Sequence, residues 1–295
     1  MPPSLKPLNQ QVIVITGASS GIGLATAQDA ARAGARLVLA ARSEDVLEAI
    51  VATLVNGGAE AICVKADVSD RAQVQAIADA AIARYGRIDT WCNIAGITIY
   101  GRVDEVSEQD ARRLFDVNFW GMVHGSMAAL PHLRRQGGAL INVGSEASEV
   151  AVPMQGIYSA SKHAVKGYTD ALRIEVAEMD GAPVSITLIE PTAVNTPLPE
   201  HARNYMAQQP KLPSPQLDPH RVAAAILGAA TSPVRDVKVG LMATLDTTIE
   251  KLVPGLADKV AVLQVPRQQR DEPASDPMGA LYRPGGMGMV YGRGS

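Results

Sequence analysis

Short apolar runs recur along the chain, separated by longer stretches in which apolar and polar residues are mixed. Such runs, bounded by turn residues, are typical of strands buried in a parallel sheet, and they span residues 12–15, 36–40, 61–66, 90–94, 140–144, 184–189 and 237–239. The mixed stretches predict helices over residues 24–33, 44–55, 70–85, 158–179 and 220–231, and a long helix after a capping box at 107–110. This alternation predicts an α/β fold with a doubly wound parallel sheet.

The composition narrows the functional classes. With 295 residues the chain has room for one large α/β domain or two small ones. Its net charge of −3 gives no electrostatic case for binding nucleic acid or an acidic membrane surface. Cys63 and Cys92 lie in predicted strands and are expected to be core residues, and no histidine spacing suggests a metal site. The absence of a signal-like or membrane-spanning apolar run predicts a cytoplasmic protein with no membrane contact.

A glycine-rich turn joins the first predicted strand to the first helix. Its sequence is Thr16-Gly17-Ala18-Ser19-Ser20-Gly21-Ile22-Gly23. The geometry of strand, turn and helix directs free backbone N–H groups and the positive end of the helix dipole at an anion. Glycines permit the tight turn and the close approach of a phosphate, so the turn predicts a dinucleotide site. A turn without any ligand is the alternative.

Two further strand ends carry polar groups suited to the adenosine half of a dinucleotide. Arg42 and Ser43 follow the second strand, where an acidic residue would favour a free ribose 2′-hydroxyl. Arginine suits a 2′-phosphate instead, so NADP(H) is favoured over NAD(H), although a surface arginine is the alternative. Asp67-Val68 follow the third strand, and the carboxylate can accept from the adenine amino group or simply cap a helix.

A second group of residues suits catalysis. Tyr158 and Lys162 share one face at the start of a predicted helix, and an ammonium beside a phenol favours the phenolate. Ser145 ends the preceding strand and can stabilise charge on a substrate oxygen. Asn118 lies in an apolar stretch and can fix a water that relays protons to Lys162. A helix cap for Ser145, a helix kink at Asn118 and ordinary core or surface positions for the others are the alternatives.

Taken together, these motifs resemble those of the short-chain dehydrogenase/reductase family over roughly residues 10–240. The residues that carry the resemblance are the turn at 16–23, Asp67-Val68, Asn93-Ile94-Ala95-Gly96, Asn118, Ser145 and Tyr158-Ser159-Ala160-Ser161-Lys162. The resemblance implies a Rossmann-type seven-stranded sheet and a catalytic tetrad of Asn118, Ser145, Tyr158 and Lys162. It also implies cofactor contacts from Asn93, Ala95, Gly96, Pro191, Val194 and Thr196, and a homodimer or homotetramer. Ile94 and Thr192 depart from the family pattern, which has asparagine and glycine there.

The function implied is an NADP(H)-dependent oxidoreductase that interconverts a ketone or aldehyde and an alcohol by hydride transfer. Tyr158 is the general acid/base, and the substrate is a small carbonyl or alcohol compound. A nucleotide-binding regulatory or scaffold protein is the second hypothesis, and the intact tetrad argues against it. Another reaction on the same fold, such as enoyl reduction, is the third, and Ser145 together with Tyr158 favours carbonyl chemistry.

Changes in composition predict the boundaries. Residues 1–10 form an N-terminal arm, and residues 11–263 form the single domain, with a substrate loop at about 192–220. A helix is predicted over residues 243–253. Residues 264–295 form a C-terminal tail rich in glycine, methionine and proline, which is expected to be extended or disordered. An ordered arm over the active site or over a neighbouring subunit is the alternative.

Overall fold

Residues 3–240, 261–263, 265–285 and 288–294 are described by the computed structural model of the protein. Its strands are β1 (Val12–Thr16), β2 (Arg36–Ala41), β3 (Ala61–Lys65), β4 (Thr90–Asn93), β5 (Ile99–Tyr100), β6 (Gly138–Val143), β7 (Val184–Pro191), β8 (Arg203–Asn204), β9 (Gln208–Pro210), β10 (Asp236–Val239) and β11 (Gln269–Pro273). Seven of them form a parallel sheet in the order β10-β7-β6-β4-β1-β2-β3. The predicted doubly wound, seven-stranded fold is therefore confirmed.

The helices are α1 (Gly21–Arg32), α2 (Glu44–Asn56), α3 (Arg71–Tyr85), α4 (Glu108–Phe115), α5 (Gly121–Gln136), α6 (Gly156–Arg173) and α7 (Pro219–Ala229). A π-helical turn at Asp116–Trp120 joins α4 to α5, and another at Ile174–Met179 follows α6. The predicted cap of the long helix is present, because the Ser107 hydroxyl accepts from the Asp110 N–H at 3.2 Å. None of the described helices is both long enough and apolar enough to cross a membrane.

Alternating side chains of the central strands build a core on each face of the sheet. Val12 and Val14 of β1 pack with residues of α3 and α5, whereas Ile13 and Ile15 pack with residues of α1 and α7. All four are fully buried. Since burial of one such side chain stabilises the fold by about 1.5–3 kcal/mol, these two cores hold the strand ends in place.

The long loop after β7 contains structure that its irregular composition does not predict. Within it, β8 pairs in parallel with β5, and β9 pairs antiparallel with β11 of the C-terminal tail. The tail is packed against the domain where it is described, and Leu281 is only 1% exposed within the core beside α3 and α5. Composition could not reveal this packing because it depends on contacts with distant segments. The helix predicted over residues 243–253 lies outside the described residues.

Candidate active site

A cavity of about 400 Å³ lies at the carboxyl edge of the sheet. Its lining includes most of the residues selected from the sequence, namely Gly17, Ser19, Ser20, Gly21, Ile22, Gly23, Arg42, Ser43, Asp67, Val68, Ala95, Gly96, Ser145, Tyr158, Lys162, Pro191, Val194 and Thr196. The lining does not include Asn93 or Asn118, which are buried. The strand ends thus bring the nucleotide-binding and catalytic candidates to one crevice, as expected for an open parallel sheet.

The glycine-rich turn is shaped by close backbone contacts. Gly17 has a φ of +72°, and a Cβ on it would lie 2.7 Å from the Ala95 Cα. A Cβ on Gly23 would overlap the Gly17 carbonyl oxygen. Larger residues are therefore excluded at both positions. The turn delivers the N-terminus of α1 to the cavity, where its N–H groups favour an anion.

Tyr158 and Ser145 meet inside the cavity. Both side chains line the cavity and interact, and the Ser145 hydroxyl accepts from the Ala147 N–H at 3.1 Å. Ser145 therefore fills the capping position considered from the sequence while it contacts the phenol. Burial raises the pKa of Tyr158 to about 12, although the interaction with Ser145 acts in the opposite direction. The chain's own residues thus keep the phenol protonated at neutral pH.

Lys162 lies one helical turn beyond the tyrosine and is almost fully buried. Its Nζ donates to the Val143 carbonyl oxygen at 2.9 Å and lies 5.7 Å from the centroid of the Tyr158 ring. Burial lowers the pKa of Lys162 to about 8. The ammonium form still predominates at neutral pH, so the site contains a cation beside the phenol.

Asn118 supports the cavity from the π-helical turn between α4 and α5. Its Oδ1 accepts from the Ile97 N–H at 2.9 Å, and its Nδ2 donates to the Ile97 carbonyl oxygen at 2.9 Å and to the Ser161 hydroxyl at 3.1 Å. A Cβ placed on Gly96 would lie 3.6 Å from the Asn118 Oδ1 and 3.9 Å from the Lys162 Nζ. The amide is therefore separated from the lysine by little more than this glycine.

Asn93, selected as a cofactor contact, makes its hydrogen bonds within the protein. Its Nδ2 donates to the Asn142 Oδ1 at 2.9 Å, and its Oδ1 accepts from the Trp91 Nε1 at 2.8 Å. Gly125 of α5 approaches so closely that a Cβ there would overlap the Asn93 amide. These contacts join β4 to β6 and to α5.

At the adenosine end, Arg42 and Asp67 are both engaged by other residues. The Arg42 Nη2 donates to the Ala280 carbonyl oxygen at 2.6 Å, and its Nη1 lies 3.4 Å from the Leu281 carbonyl oxygen. The Asp67 carboxylate pairs with Arg113 at 2.5 Å. Burial alone would raise the pKa of Asp67, but hydrogen bonds from Arg113 and Ser69 outweigh it and hold the pKa below its usual range.

The sequence does not identify Arg113 as part of this site, and it offers the tail only as an alternative, an ordered arm over the active site. Arg113 lies on α4, and its Nε donates to the Leu281 carbonyl oxygen at 3.1 Å. The Ser43 hydroxyl donates to the Gly285 carbonyl oxygen at 3.3 Å, and the Gly21 N–H donates to the Met289 carbonyl oxygen at 2.9 Å. Neither Arg113 nor these tail residues belong to a motif, so the sequence contained no local signal for them.

The described residues contain no cluster of three or more histidine, cysteine, aspartate or glutamate side chains that could hold a metal ion. The lining also contains apolar residues that belong to no motif, namely Val150, Ala151, Val152, Pro153, Leu212 and Pro213, together with the polar Glu146, Gln155 and Gln268. The cavity thus has apolar as well as polar lining beside the nucleotide-binding and catalytic candidates.

Comparison with known proteins shows the family of the chain. The family model for short chain dehydrogenases matches residues 11–206. The chain is 44% identical over 286 residues to the uncharacterized oxidoreductase YxnA of Bacillus subtilis, in a match that covers 95% of this chain and 80% of that protein. Because so little of the chain is left uncovered, the match must extend into the C-terminal tail.

The solved structures similar to this chain include two with a bound nicotinamide cofactor or its derivative. A short chain dehydrogenase/reductase from Burkholderia phymatum in complex with NAD has a TM-score of 0.76 at 30% identity, covering 93% of this chain and 100% of that one. An alcohol dehydrogenase from the archaeon Thermococcus sibiricus complexed with 5-hydroxy-NADP has a TM-score of 0.68 at 30% identity, covering 78% and 94%. The chain belongs to the short-chain dehydrogenase/reductase family and is an oxidoreductase with a nucleotide-binding Rossmann fold.

Proposed function

We propose that the protein is an NADP(H)-dependent oxidoreductase that interconverts a ketone or aldehyde and the corresponding alcohol. The observation that carries this proposal is the placement of Tyr158, Ser145 and Lys162 together in the cavity that also contains the glycine-rich turn. Two hydroxyl groups side by side can bind one carbonyl oxygen. Tyr158 then transfers the proton, and Ser145 stabilises the developing negative charge.

The residues present fit a nicotinamide dinucleotide. The glycine-rich turn lines the cavity, and the N-terminus of α1 favours a pyrophosphate there. Pro191, Val194 and Thr196 line the same cavity and would contact the nicotinamide end, and Lys162 would hold its ribose hydroxyls. When bound, the cofactor supplies or accepts the hydride.

Protonation of the site supports carbonyl reduction. With a pKa of about 12, Tyr158 is protonated at neutral pH and ready to donate to the oxygen that gains charge as the hydride arrives. Alcohol oxidation needs the phenolate instead, which the Lys162 ammonium and a positively charged oxidised nicotinamide both favour. Asn118, close to Lys162 across Gly96, is proposed to fix the water that returns protons to the lysine.

The preference for NADP(H) rests on this chain's own residues, because its solved relatives carry NAD in one case and an NADP derivative in the other. Arg42 and Ser43 follow β2, where a cation suits a ribose 2′-phosphate and an acidic residue is absent. Asp67 lies beside them and is proposed to accept from the adenine. The apolar residues of the cavity lining, such as Val150, Val152 and Leu212, favour an uncharged, largely apolar carbonyl substrate.

We further propose a homodimer or homotetramer assembled in the cytoplasm. Trp120 at the start of α5 and Ile174 at the end of α6 are about half exposed, at 49% and 51%. Large apolar side chains exposed on neighbouring helices are suited to burial against a second copy.

The test compares wild-type protein with Tyr158→Phe. Removal of the phenol hydroxyl should lower kcat for NADPH-dependent reduction of a panel of apolar ketones and aldehydes by at least about 100-fold. The dissociation constant for NADPH, followed by nicotinamide fluorescence, should change less than about twofold. Tyr85→Phe is the control, because the Tyr85 hydroxyl lacks a partner in the described structure and lies on α3. Equal activity in all three proteins would refute the assignment of Tyr158.

A further inference from the structure

Two arginines converge on a backbone segment at the adenosine end of the cavity. Arg42 follows β2 and Arg113 lies on α4, and both approach the Leu281 carbonyl oxygen, at 3.4 Å and 3.1 Å. Arg42 also donates to the Ala280 carbonyl oxygen at 2.6 Å. Guanidinium groups bind phosphate oxygens more strongly than neutral carbonyls, because the acceptor is then charged and binding can be bidentate. Arg42 is thus satisfied by neutral acceptors, whereas Arg113 divides its hydrogen bonds between the neutral Leu281 carbonyl and the Asp67 carboxylate.

The segment that supplies these carbonyls, residues 276–285, is here called the strap. It is held by contacts that are independent of Arg42. The Leu281 side chain is 1% exposed in the core, and the Ala280 N–H donates to the His201 carbonyl oxygen at 2.8 Å. The Tyr282 hydroxyl donates to Asp110 at 2.8 Å. The strap therefore presents its two carbonyl oxygens to the arginines from a fixed position.

A second part of the tail, residues 288–293, lies along the glycine-rich turn. The Gly21 N–H donates to the Met289 carbonyl oxygen at 2.9 Å, and the Arg293 N–H donates to Glu200 at 3.0 Å. Gly292 packs so closely on Thr196 that a Cβ would overlap its carbonyl oxygen. This part borders the place expected for the pyrophosphate, which NAD(H) and NADP(H) have in common. Displacement of residues 288–293 therefore serves as the control for displacement of the strap, because it should affect both cofactors equally.

We propose that the strap is a cofactor-selecting element whose Ala280 and Leu281 carbonyl oxygens compete with the 2′-phosphate of NADP(H) for Arg42 and Arg113. The proposal rests on the proposed function, in which the adenosine ribose lies at Arg42. NADP(H) must replace the strap at the arginines before it gains their full interaction. NAD(H) has only a 2′-hydroxyl there, so the arginines keep their hydrogen bonds to the strap. The strap thereby reduces the preference for NADP(H) that the two arginines would otherwise confer.

The first experiment compares three full-length proteins. Gly279 has a φ of +52°, and a Cβ on it would overlap the Ala202 carbonyl oxygen, so Gly279→Val should displace the strap. Gly292→Val should displace residues 288–293 instead. Dissociation constants for NADPH and NADH are measured by calorimetry. We expect Gly279→Val to tighten NADPH binding about tenfold and NADH binding less than about twofold, because two neutral hydrogen bonds no longer compete with the phosphate. Gly292→Val should change both constants by the same factor.

An unchanged ratio of the NADPH and NADH constants in Gly279→Val would overturn the proposal while leaving the proposed function intact. Failure of wild-type protein to bind either cofactor would instead remove the proposed function, and the proposal with it. The outcomes are therefore separable.

The second experiment needs no variant and covers the case in which Gly279→Val does not fold. Hydrogen–deuterium exchange of the wild-type protein is followed at the Ala280 amide, whose hydrogen bond to His201 anchors the strap. NADPH should accelerate exchange in this peptide relative to the free protein, whereas NADH should not. Equal protection by both cofactors would show that the dinucleotide binds beneath a strap that stays in place, which contradicts competition.

Discussion

The two ends of the cavity are built in different ways. At the catalytic end, Tyr158, Ser145 and Lys162 come from α6 and from the end of β6, and their partners are one another or adjacent backbone such as Val143. At the adenosine end, Arg42 is bound by residues 238 and 239 positions further along the chain. The partners at the catalytic end thus lie within 19 positions along the chain, whereas the availability of Arg42 is set by a remote segment.

The largest effect should come from the catalytic end. Ser145→Ala removes a hydroxyl expected to stabilise charge on the substrate oxygen, so kcat/KM for ketone reduction should fall about 100- to 1,000-fold. The dissociation constant for NADPH should be nearly unchanged, because Ser145 lies far from the adenosine end. Steady-state kinetics and cofactor titration measure the two quantities.

The control for this variant is Ser232→Ala, which removes an exposed hydroxyl from the turn after α7. Ser145 also caps a short 3₁₀ helix, so a loss of about 1 kcal/mol in the free energy of unfolding is expected and is checked by denaturant titration. A variant that is destabilised by this amount yet fully active would show that Ser145 is a cap and nothing more.

At the adenosine end the effect should be smaller and confined to binding. Arg42→Ala should weaken NADPH binding about tenfold or more, because a charge-assisted hydrogen bond to the phosphate is lost. NADH binding and kcat at saturating NADPH should stay nearly constant. Arg112→Ala is the control, since Arg112 is exposed and pairs only with Glu108 among the described residues. Equal weakening of NADPH and NADH in Arg42→Ala would mean that Arg42 serves the strap and not the 2′-phosphate.

The same contrast explains how much the sequence could predict. Apolar runs defined the strands because a parallel sheet buried on both faces needs them, and β1 is buried along its whole length. The glycine-rich turn and the pair Tyr158 and Lys162 were recognisable because their spacing follows from backbone geometry. Each of these features depends on residues close together in the chain.

The rest depends on contacts between distant segments. Nothing in the composition of the tail indicates that Leu281 enters the core or that β11 pairs with β9. Asn93 belongs to a family motif, but its amide is hydrogen-bonded to Trp91 and Asn142. Only the folded structure reveals these partners. Burial likewise decides the direction in which the pKa of Tyr158 shifts. The neighbouring lysine alone would have suggested a lowered pKa.

A third prediction concerns pH at the catalytic end. Because burial lowers the pKa of Lys162 to about 8, its ammonium is present below that pH and is lost above it. Tyr158 remains protonated throughout this range, as its pKa is about 12. The kcat/KM for NADPH-dependent ketone reduction should therefore be level up to about pH 8 and decline above it. Lys162→Arg, which stays charged, should abolish that decline, and a profile that is identical in both proteins would argue against the lysine as its source.

The smallest effect should be on the stability of the fold, at Glu190 of β7. Glu190 precedes Pro191 in β7 and is 1% exposed, and its Oε1 has no hydrogen-bond partner among the described residues. Burial raises its pKa from 4.5 to about 7, Glu149 adds to the shift, and Lys166 and Lys238 oppose it. The unfolded chain thus loses this proton at lower pH than the folded protein, so stability falls between about pH 4.5 and 7 and stays reduced above pH 7.

Glu190→Gln removes that charge while preserving the shape of the side chain. The variant should have a Tm higher than that of the wild type by about 2–4 °C at pH 8, with a smaller difference at pH 5, as expected if the uncharged side chain avoids roughly 1 kcal/mol of burial cost. Differential scanning calorimetry at the two pH values measures both. Glu175→Gln is the exposed control on the π-helical turn after α6. An equal Tm difference between variant and wild type at both pH values would show that the charge of the Glu190 carboxylate does not destabilise the folded protein. Burial of the Lys162 ammonium would then be the electrostatic cost that remains at the catalytic end.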